Sequence, residues 1–485
     1  MSNLLVTLRN SANALNAFDQ VFQVTQNNVA NASTPGFAKE TQDLYAMPFN
    51  PALGLQGGVT AGEVVSARDE YAEQAVRRQS TLLGEAQQNV DSLTQIESVL
   101  GIDDGTGISG ALNSFYQSVS AWGQTPDSTV ARQTVLQDAN DVASAFRQAA
   151  SGLAQVTEDT QAQLQQTVEQ VNNIVGQLAQ FNSQIQDGDR NDSGLDAQVH
   201  SLLEQLSQYV DFTATPQADG SFTVLLNGQT PLLVGAQQYK IAYGLGQPVD
   251  AATPDNTAPG VAHIFAADGA DITANVSGGQ LGALLNIRNQ VLPSYIGDAD
   301  EPGDLNRMAQ QFAERVNALL TGGNVSDGDP ANDVDPVTGA PLFTYDGNNA
   351  TNVAATMAVD PSVTPDQLPA IDPGPPEISN GIPLALASMA AGEDPSDQIE
   401  GQSFTQFYAT LAARAGAALN SATNQQQVQQ SAVAQAQNMR QQASGVDLNE
   451  EAMIMVEFQR AYEANAHMIT VLDQLTQDTI NMLNT

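Results

Sequence analysis

Cysteine is absent from all 485 residues. Disulfides, thiolate nucleophiles and every zinc or iron–sulfur site with a Cys ligand are excluded with it, so stability must come from packing alone. Positive charge is nearly as scarce. Fifteen Lys+Arg stand against 54 Asp+Glu, a formal net charge of −39, and Lys occurs only at Lys39 and Lys240. Affinity for phosphate backbones comes mainly from Lys and Arg, so the composition argues against nucleic acid as a partner, and an anionic membrane surface is disfavoured for the same reason. No run approaches the ~20 apolar residues of a membrane span, so no membrane insertion is expected. The opening Met1 to Arg9 lacks the basic segment and continuous apolar stretch of a secretory signal.

What is present is ordinary globular material. The charged fraction is 14% and the hydrophobic fraction 41%, with 38 Gly besides, so the charge does not imply wholesale disorder. At roughly 100 to 200 residues per domain, two to four domains are expected.

The first 30 residues place apolar or small side chains at Leu4, Leu8, Ser11, Leu15, Phe18, Phe22, Thr25 and Val29. The alternation of four and three is a coiled-coil seam, weakened at Ser11 and Thr25. Such a helix cannot bury its stripe alone and needs a partner. One stands at the far end, where Met455, Phe458, Tyr462, Ile469, Leu472, Thr476, Thr479 and Leu483 repeat the spacing apart from a gap at Asn465. Asp447 with Glu450 reads as a capping box opening that helix after Ser444-Gly445, and Pro35-Gly36 stops the first one. The fold class that follows is mainly α with a β-containing insertion: a multidomain chain with its N- and C-terminal helices paired as a coiled coil, and a helical-bundle middle domain.

Between the ends, helices are expected over 68–100, 111–122, 127–186, 195–208, 280–292, 304–320 and 402–443. Over 209–277 the β-branched and aromatic content rises, and Asn227-Gly228 between Ser221–Leu226 and Thr230–Val234 is a hairpin signature. Over 323–380 Asp, Gly, Pro and Asn dominate, which reads as surface loops with little core. The expected organisation is 1–47 and 446–485 as the two halves of a terminal coiled-coil domain, 48–208, 278–322 and 400–445 as a helical middle domain, 209–277 as a β-rich outer domain, and 323–399 as a loop-rich variable segment.

Motifs for chemistry are weak. Gly105 to Gly110 spells G-x-G-x-x-G, but the preceding segment is helical where a dinucleotide site needs a strand. Asp187 to Gln198 imitates a calcium loop, with Asp192 where Gly is required and Gln198 where the bidentate Glu belongs. His200, His263 and His467 lie far apart and form no metal or triad motif. No catalytic residue, cofactor or metal site is expected.

Asn28 to Phe37, Asn-Val-Ala-Asn-Ala-Ser-Thr-Pro-Gly-Phe, closely resembles the N-terminal signature of bacterial flagellar rod, hook and hook-associated proteins. Ser444 to Glu451 followed by Glu457 to Ala466 resembles their C-terminal one. Phe37 stands where that family usually has Tyr, and Ala38-Lys39 where it often has Ser-Arg. Gly57-Gly58-Val59 leading to Arg68-Asp69-Glu70-Tyr71, then Thr125 to Gln133 and Ile287 to Pro293, fit the members that join hook to filament better than hook or rod proteins.

The resemblance implies a structural subunit of the flagellum at the hook–filament junction, needed for filament assembly, extracellular, and exported by the flagellar type III apparatus without a cleaved signal peptide. It implies as partners the hook protein, the second hook–filament junction protein, other copies in a ring or helical layer, and a cytoplasmic export chaperone on the C-terminal helix. Candidate assembly-interface residues are Leu4, Leu8, Leu15, Phe18, Phe22, Val29, Asn31, Pro35, Gly36, Met455, Phe458, Tyr462, Ile469, Leu472 and Leu483. The competing readings are a secreted enzyme carried on flagellar-type export ends with its site in 209–399, and another axial protein, either hook or the second junction protein.

Overall fold

The computed structural model describes residues 2–50, 55–101, 107–188, 192–246, 260–299, 301–326 and 335–483, with the side chains of 2–5, 55, 56 and 483 outside that description. The chain begins with helix α1 (Ser2–Asn31), followed by strands β1 (Glu40–Ala46), β2 (Phe49–Asn50), β3 (Leu55–Gln56) and β4 (Val59–Ser66). Four helices follow: α2 (Glu70–Leu100), α3 (Gly107–Gln124), α4 (Thr129–Asp187) and α5 (Ser193–Tyr209). Strands β5 (Phe212–Pro216), β6 (Phe222–Leu226), β7 (Thr230–Val234), β8 (Gln237–Gln238), β9 (Ala242–Leu245) and β10 (Ala262–Phe265) come next.

Helices return with α6 (Gly279–Asn286), α7 (Leu292–Ile296) and α8 (Gly303–Gly322). A stretch of short elements then holds β11 (Asn324–Ser326), β12 (Val337–Thr338), β13 (Phe343–Thr344), α9 (Val353–Thr356), β14 (Ala358–Val359), α10 (Gly381–Ser388), β15 (Gln398–Ile399) and β16 (Gln402–Ser403). The last helices are α11 (Phe404–Ser444) and α12 (Leu448–Leu483). The chain is therefore mainly α with small β elements, as its periodicity implies, and it divides into two compact units. Unit 1 holds Met1–Leu83, Asn173–Tyr239 and Gln429–Thr485; unit 2 holds Gly84–Asn172 and Lys240–Val428.

In unit 1, α1 and α12 pack together, and the order of their contacts makes them antiparallel: Ser11 meets Met468, Phe18 meets Phe458, and Asn28 meets Glu451. Strands β1 and β4 form an antiparallel hairpin that also packs on α1. A boundary at residue 47 would cut this hairpin, because β1 pairs Glu40 with Ser66 and Ala46 with Val59. The antiparallel sheet β5-β6-β7-β8 completes the unit. Its β6–β7 turn has Asn227 at φ +46° and Gly228 at φ +69°, the two left-handed residues that an Asn-Gly hairpin turn requires. Buried Asn182 of α4 fixes the sheet by donating to the Phe222 and Gly235 carbonyls at 2.7 Å and accepting from the Phe222 N–H at 3.0 Å.

Unit 2 is built around Phe312 of α8, whose ring meets Phe115 at 5.8 Å, Phe343 at 5.7 Å and Phe404 at 5.5 Å. The expectation that 323–380 contributes little core is corrected here. Leu342, Phe343, Val353, Ala354, Met357, Leu368 and Ala370 are all buried in the same cluster as Phe312 and Trp122. The Asp, Gly and Pro of this stretch mark turns between very short elements, and each element still delivers one or two apolar anchors. Asn side chains on α8 stand in for the missing strand neighbours. Asn317 accepts from the Leu342 and Phe343 N–H groups and donates to the Phe343 carbonyl, all at 2.8 Å. Asn306 accepts from Ala354 and donates to Ile296 and Thr351.

The segment Ile287–Val291 is a π-turn between α6 and α7. Pro293 lies just beyond it and cannot donate to the carbonyl four residues back, which opens the helical ladder here. Asn289 uses the opening to bracket Ala262 of β10, donating to its carbonyl and accepting its N–H.

Candidate assembly interface

The paired ends of the chain are the site to which the sequence points. Along α1 the buried side chains are Ser11, Ala17, Val21, Thr25 and Asn28, with Leu8, Leu15, Phe18 and Phe22 half-buried. Val29, assigned to the seam by strict heptad spacing, is 38% exposed, and Asn28 takes the inner place. The reason is that α1 is covered by two partners, α12 and the β1–β4 hairpin, so its inner face is wider than a two-helix seam and rotates toward the hairpin. On α12, Met455, Phe458, Ile469 and Leu472 are half-buried, whereas Tyr462 is 45% exposed and half-buried Ala461 lies inward. The side chains of Leu4 and Leu483 lie outside the described residues.

At the middle of the pair Phe18 and Phe458 meet at 5.8 Å with their planes at 53°. A cleft of about 150 Å³ opens there between Phe18, Phe22, Phe458 and Tyr462. The pair does not consume the apolar surface of α12. Met453, Val456, Met468, Val471, Leu475, Ile480 and Met482 remain exposed, and the run 468, 471, 475, 482 repeats at three, four and seven residues, a second helical stripe.

The two signature segments meet in a polar clasp that heptad reasoning does not reveal. Asn28 accepts from the Glu40 N–H at 2.9 Å and donates to the Glu40 carbonyl at 2.8 Å and to Glu451 at 3.3 Å. Lys39 reaches Glu450 at 3.1 Å and Glu451 at 3.2 Å. Its backbone N–H donates to the Ser444 carbonyl, while Ser444 Oγ accepts from the Asp69 N–H. Asp447 accepts from the Asn449 and Glu450 N–H groups, but the Glu450 carboxylate turns to Lys39, so only one half of the expected capping box forms.

Asn31 closes the end of α1 by donating to the Asn27 carbonyl and accepting from the Thr34 hydroxyl. Pro35 follows, exposed, and Gly36 sits at φ +76°. A Cβ there would lie 2.2 Å from the Ala197 carbonyl oxygen of α5, so no residue but Gly fits without moving a helix backbone.

Beneath the turn lies a network of buried charge. Arg68 donates to the Gly36 carbonyl at 2.7 Å, to Glu73 at 2.7 Å and to Asp196 at 2.5 Å. Arg440 of α11 joins Glu73 at 3.3 Å to Glu204 at 2.7 Å. A polar cleft of about 220 Å³ opens between the turn, Glu73, Arg440 and Ser444. His200 is buried beside this network, its Nε2 3.6 Å from Asp196 and its ring edge-on to Phe222. Burial, and after it the guanidinium groups of Arg68, Arg77 and Arg440, hold its pKa well below 6.5. Neutral His200 is therefore the packed form, and the Asp196 contact does not outweigh three cations and desolvation. The sequence signal for the clasp was the pair of signatures themselves, which put Lys39 and Glu450-Glu451 on mating segments.

The remaining candidate motifs have local roles. Of Gly105 to Gly110, residues 105 and 106 lie outside the described residues, and 107–110 open α3 after helical α2 rather than after a strand. Of the calcium-like loop, 189–191 lie outside as well; Asp192 caps α5 by accepting from Gly194 and Leu195, and Gln198 is helical. His263 lies 2.8 Å from Asp271, which also accepts from Thr273 and so closes the turn after β10. Among the described residues there is no group of three or more His, Asp or Glu that could hold a metal ion, and no helix is long and apolar enough to cross a membrane.

Comparison with known proteins falls on the same segments. Residues 8–37 match the family described as flagella basal body rod protein, and 438–482 the family described as flagellar basal body rod FlgEFG protein C-terminal. These two segments are α1 with its turn and α12 with the end of α11, and they define the chain as a flagellar axial protein of the rod and hook family. Residues 93–334 match the flagellar hook-associated protein FlgK helical domain. Flagellar hook-associated protein 1 of Bacillus subtilis is 27% identical over 524 residues, covering 99% of each chain. The Escherichia coli protein of that name is 22% identical over 564 residues, covering 99% of this chain and all of its own. The Salmonella typhimurium protein is 27% identical over 369 residues, and that match spans 74% of this chain and 63% of the relative. Among solved structures, the flagellar hook junction protein FlgK from Burkholderia pseudomallei is 24% identical with a TM-score of 0.46, over 56% of this chain and 46% of that one. The chain belongs to the FlgK family of flagellar hook-associated proteins.

Proposed function

We propose that this protein is a structural subunit of the bacterial flagellum that forms the junction between hook and filament and is needed for filament assembly. The observation that carries the reading is the antiparallel α1–α12 pair. It joins the two rod-and-hook segments in one clasp and leaves an apolar stripe open along α12 from Met453 to Met482. Such a stripe on a protein of net charge −39 calls for cover by neighbours of matching face.

The role assigns no catalysed reaction and no cofactor. It places the subunit outside the cell after export through the flagellar apparatus. Its partners are the hook protein on one side, the second junction protein on the other, copies of itself around the axis, and a chaperone that covers α12 before export. The terminal coiled coil faces the axis in this scheme. Deleting residues 446–485 tests it: cells producing the truncated chain should build hooks that carry no filaments. Filaments on those hooks, and swimming cells, would show the reading to be wrong.

A further inference from the structure

The two units place their methionines on opposite sides of their surfaces. Among residues with described side chains, unit 1 leaves Met47, Met439, Met453, Met468 and Met482 exposed and Met455 half-buried, whereas Met308, Met357 and Met389 of unit 2 are fully buried. Methionine is ordinarily among the buried residues, so its outward placement in one unit alone needs a reason. Three of the exposed five stand on α12. Met468 and Met482, at 49% and 77% exposure, are two of the four positions of its second stripe. Met453 is 68% exposed and lines an open cleft of about 520 Å³ with Val456, Glu457 and Arg460. The chain has no cysteine, so thioethers are its only sulfur and no thiol competes for an oxidant.

We propose that α12 is an oxidation site: a peroxide-class oxidant converts Met453, Met468 and Met482 to methionine sulfoxide, and the polar stripe that results is no longer covered by neighbouring subunits. The step is an oxygen transfer. A thioether lone pair attacks one peroxide oxygen, and the S–O bond forms as the O–O bond breaks. The departing hydroxide takes the proton left on the transferred oxygen and leaves as water. Sulfur gives up two electrons and the peroxide takes them. The product replaces a soft apolar contact by a polar one at both ends of the run from Met468 to Met482. The α1–α12 pair itself stays closed, because the Ser11 hydroxyl that meets the Met468 sulfur at 3.7 Å donates to a sulfoxide oxygen better than to a thioether, which is a weak acceptor. The loss of cover rests on the reading as an assembling subunit, and the oxidation does not.

Hydrogen peroxide is the probe. The purified full chain is oxidised, the reaction is stopped with catalase, and sulfoxides are mapped by peptide mass. Met453, Met468 and Met482 should react at least about tenfold faster than Met308, Met357 and Met389, whose sulfurs are reached only when unit 2 opens. Nile red, a neutral apolar dye, should then bind the oxidised chain less than the untreated one, while amide exchange in α1 stays the same. The variant M453L/M468L/M482L, which keeps volume and apolarity, should hold its dye signal through the same treatment. Untreated chain added to hook-bearing cells that lack it should restore filaments, and so should the treated Leu variant. Oxidised wild-type chain should not, until the two epimer-specific methionine sulfoxide reductases have acted on it. Equal rates in the two units, a dye signal indifferent to oxidation, a rise in α1 exchange, or filaments from oxidised wild-type chain would each overturn the proposal. No filaments from untreated chain would instead count against the junction reading, and the mapping and dye measurements would still decide the oxidation.

Discussion

Arg68→Met removes the cation that joins the signature turn to α2 and α5, while the Met side chain keeps most of the apolar stem. Three acceptors lose their donor. Glu73, only 3% exposed, keeps Arg440 at 3.3 Å but loses its closer partner at 2.7 Å. Breaking a buried pair completely costs about 3–5 kcal/mol, so losing one of two partners is worth roughly 2 kcal/mol. The Gly36 carbonyl loses a charge-assisted hydrogen bond, worth about 1 kcal/mol. Asp196 is 39% exposed, and water replaces much of what it loses, so its share is a few tenths of a kcal/mol. The sum is about 3 kcal/mol, which for a unit of roughly 200 residues lowers Tm by about 6–12 °C.

The assay can separate the units, because the single Trp122 is fully buried in unit 2. Thermal unfolding should shift when followed by amide exchange in α5 and the start of α2, and should stay in place when followed by Trp122 emission. Arg68→Lys should recover less than half of the loss, since an ammonium cannot span three acceptors as a guanidinium does. A shift under about 2 °C in the α5 probe, or an equal shift in both probes, would refute the reasoning.

The same probes check two further expectations. Because the folded-state pKa of His200 is depressed, its contribution to stability is complete above the unfolded value near 6.5 and is lost as pH falls through that value toward the folded pKa. Urea midpoints of unit 1 should therefore drop more steeply between pH 7.5 and 5.5 in the wild type than in His200→Gln, by up to about 1.4 kcal/mol per pH unit; parallel slopes would show that His200 is not buried neutral. Phe343→Ala should cost unit 2 about 3–5 kcal/mol, read as an earlier Trp122 transition. An unchanged transition would return the 323–399 stretch to the surface role its composition suggests.

Helix positions were legible because a 3.6-residue stripe survives in any sequence that must bury one face. The Asn227-Gly228 hairpin was legible because few residue pairs accept two left-handed conformations. The core role of Phe343, Val353 and Met357 was not, since elements of two to four residues are too short to show a period. Heptad counting put Val29 in the seam because it assumes one partner per helix, and the hairpin supplies α1 with a second. The charge network beneath the turn was hidden for another reason: Arg68, Glu73, Glu204 and Arg440 are dispersed in sequence and carry no spacing rule. The structure joins them.

The antiparallel arrangement of α1 and α12 sets when unit 1 can exist. Ser11 meets Met468 across 457 positions of chain, and Asn28 meets Glu451 across 423. A chain delivered from its N-terminus, whether by the ribosome or through a narrow channel, has α1 in hand throughout, with only the β1–β4 hairpin to cover it until α12 (Leu448–Leu483) arrives. Unit 2 needs nothing beyond Val428 and can close first. The last contact made is then the one between α1 and α12, so unit 1 closes only after every element of unit 2 has been delivered.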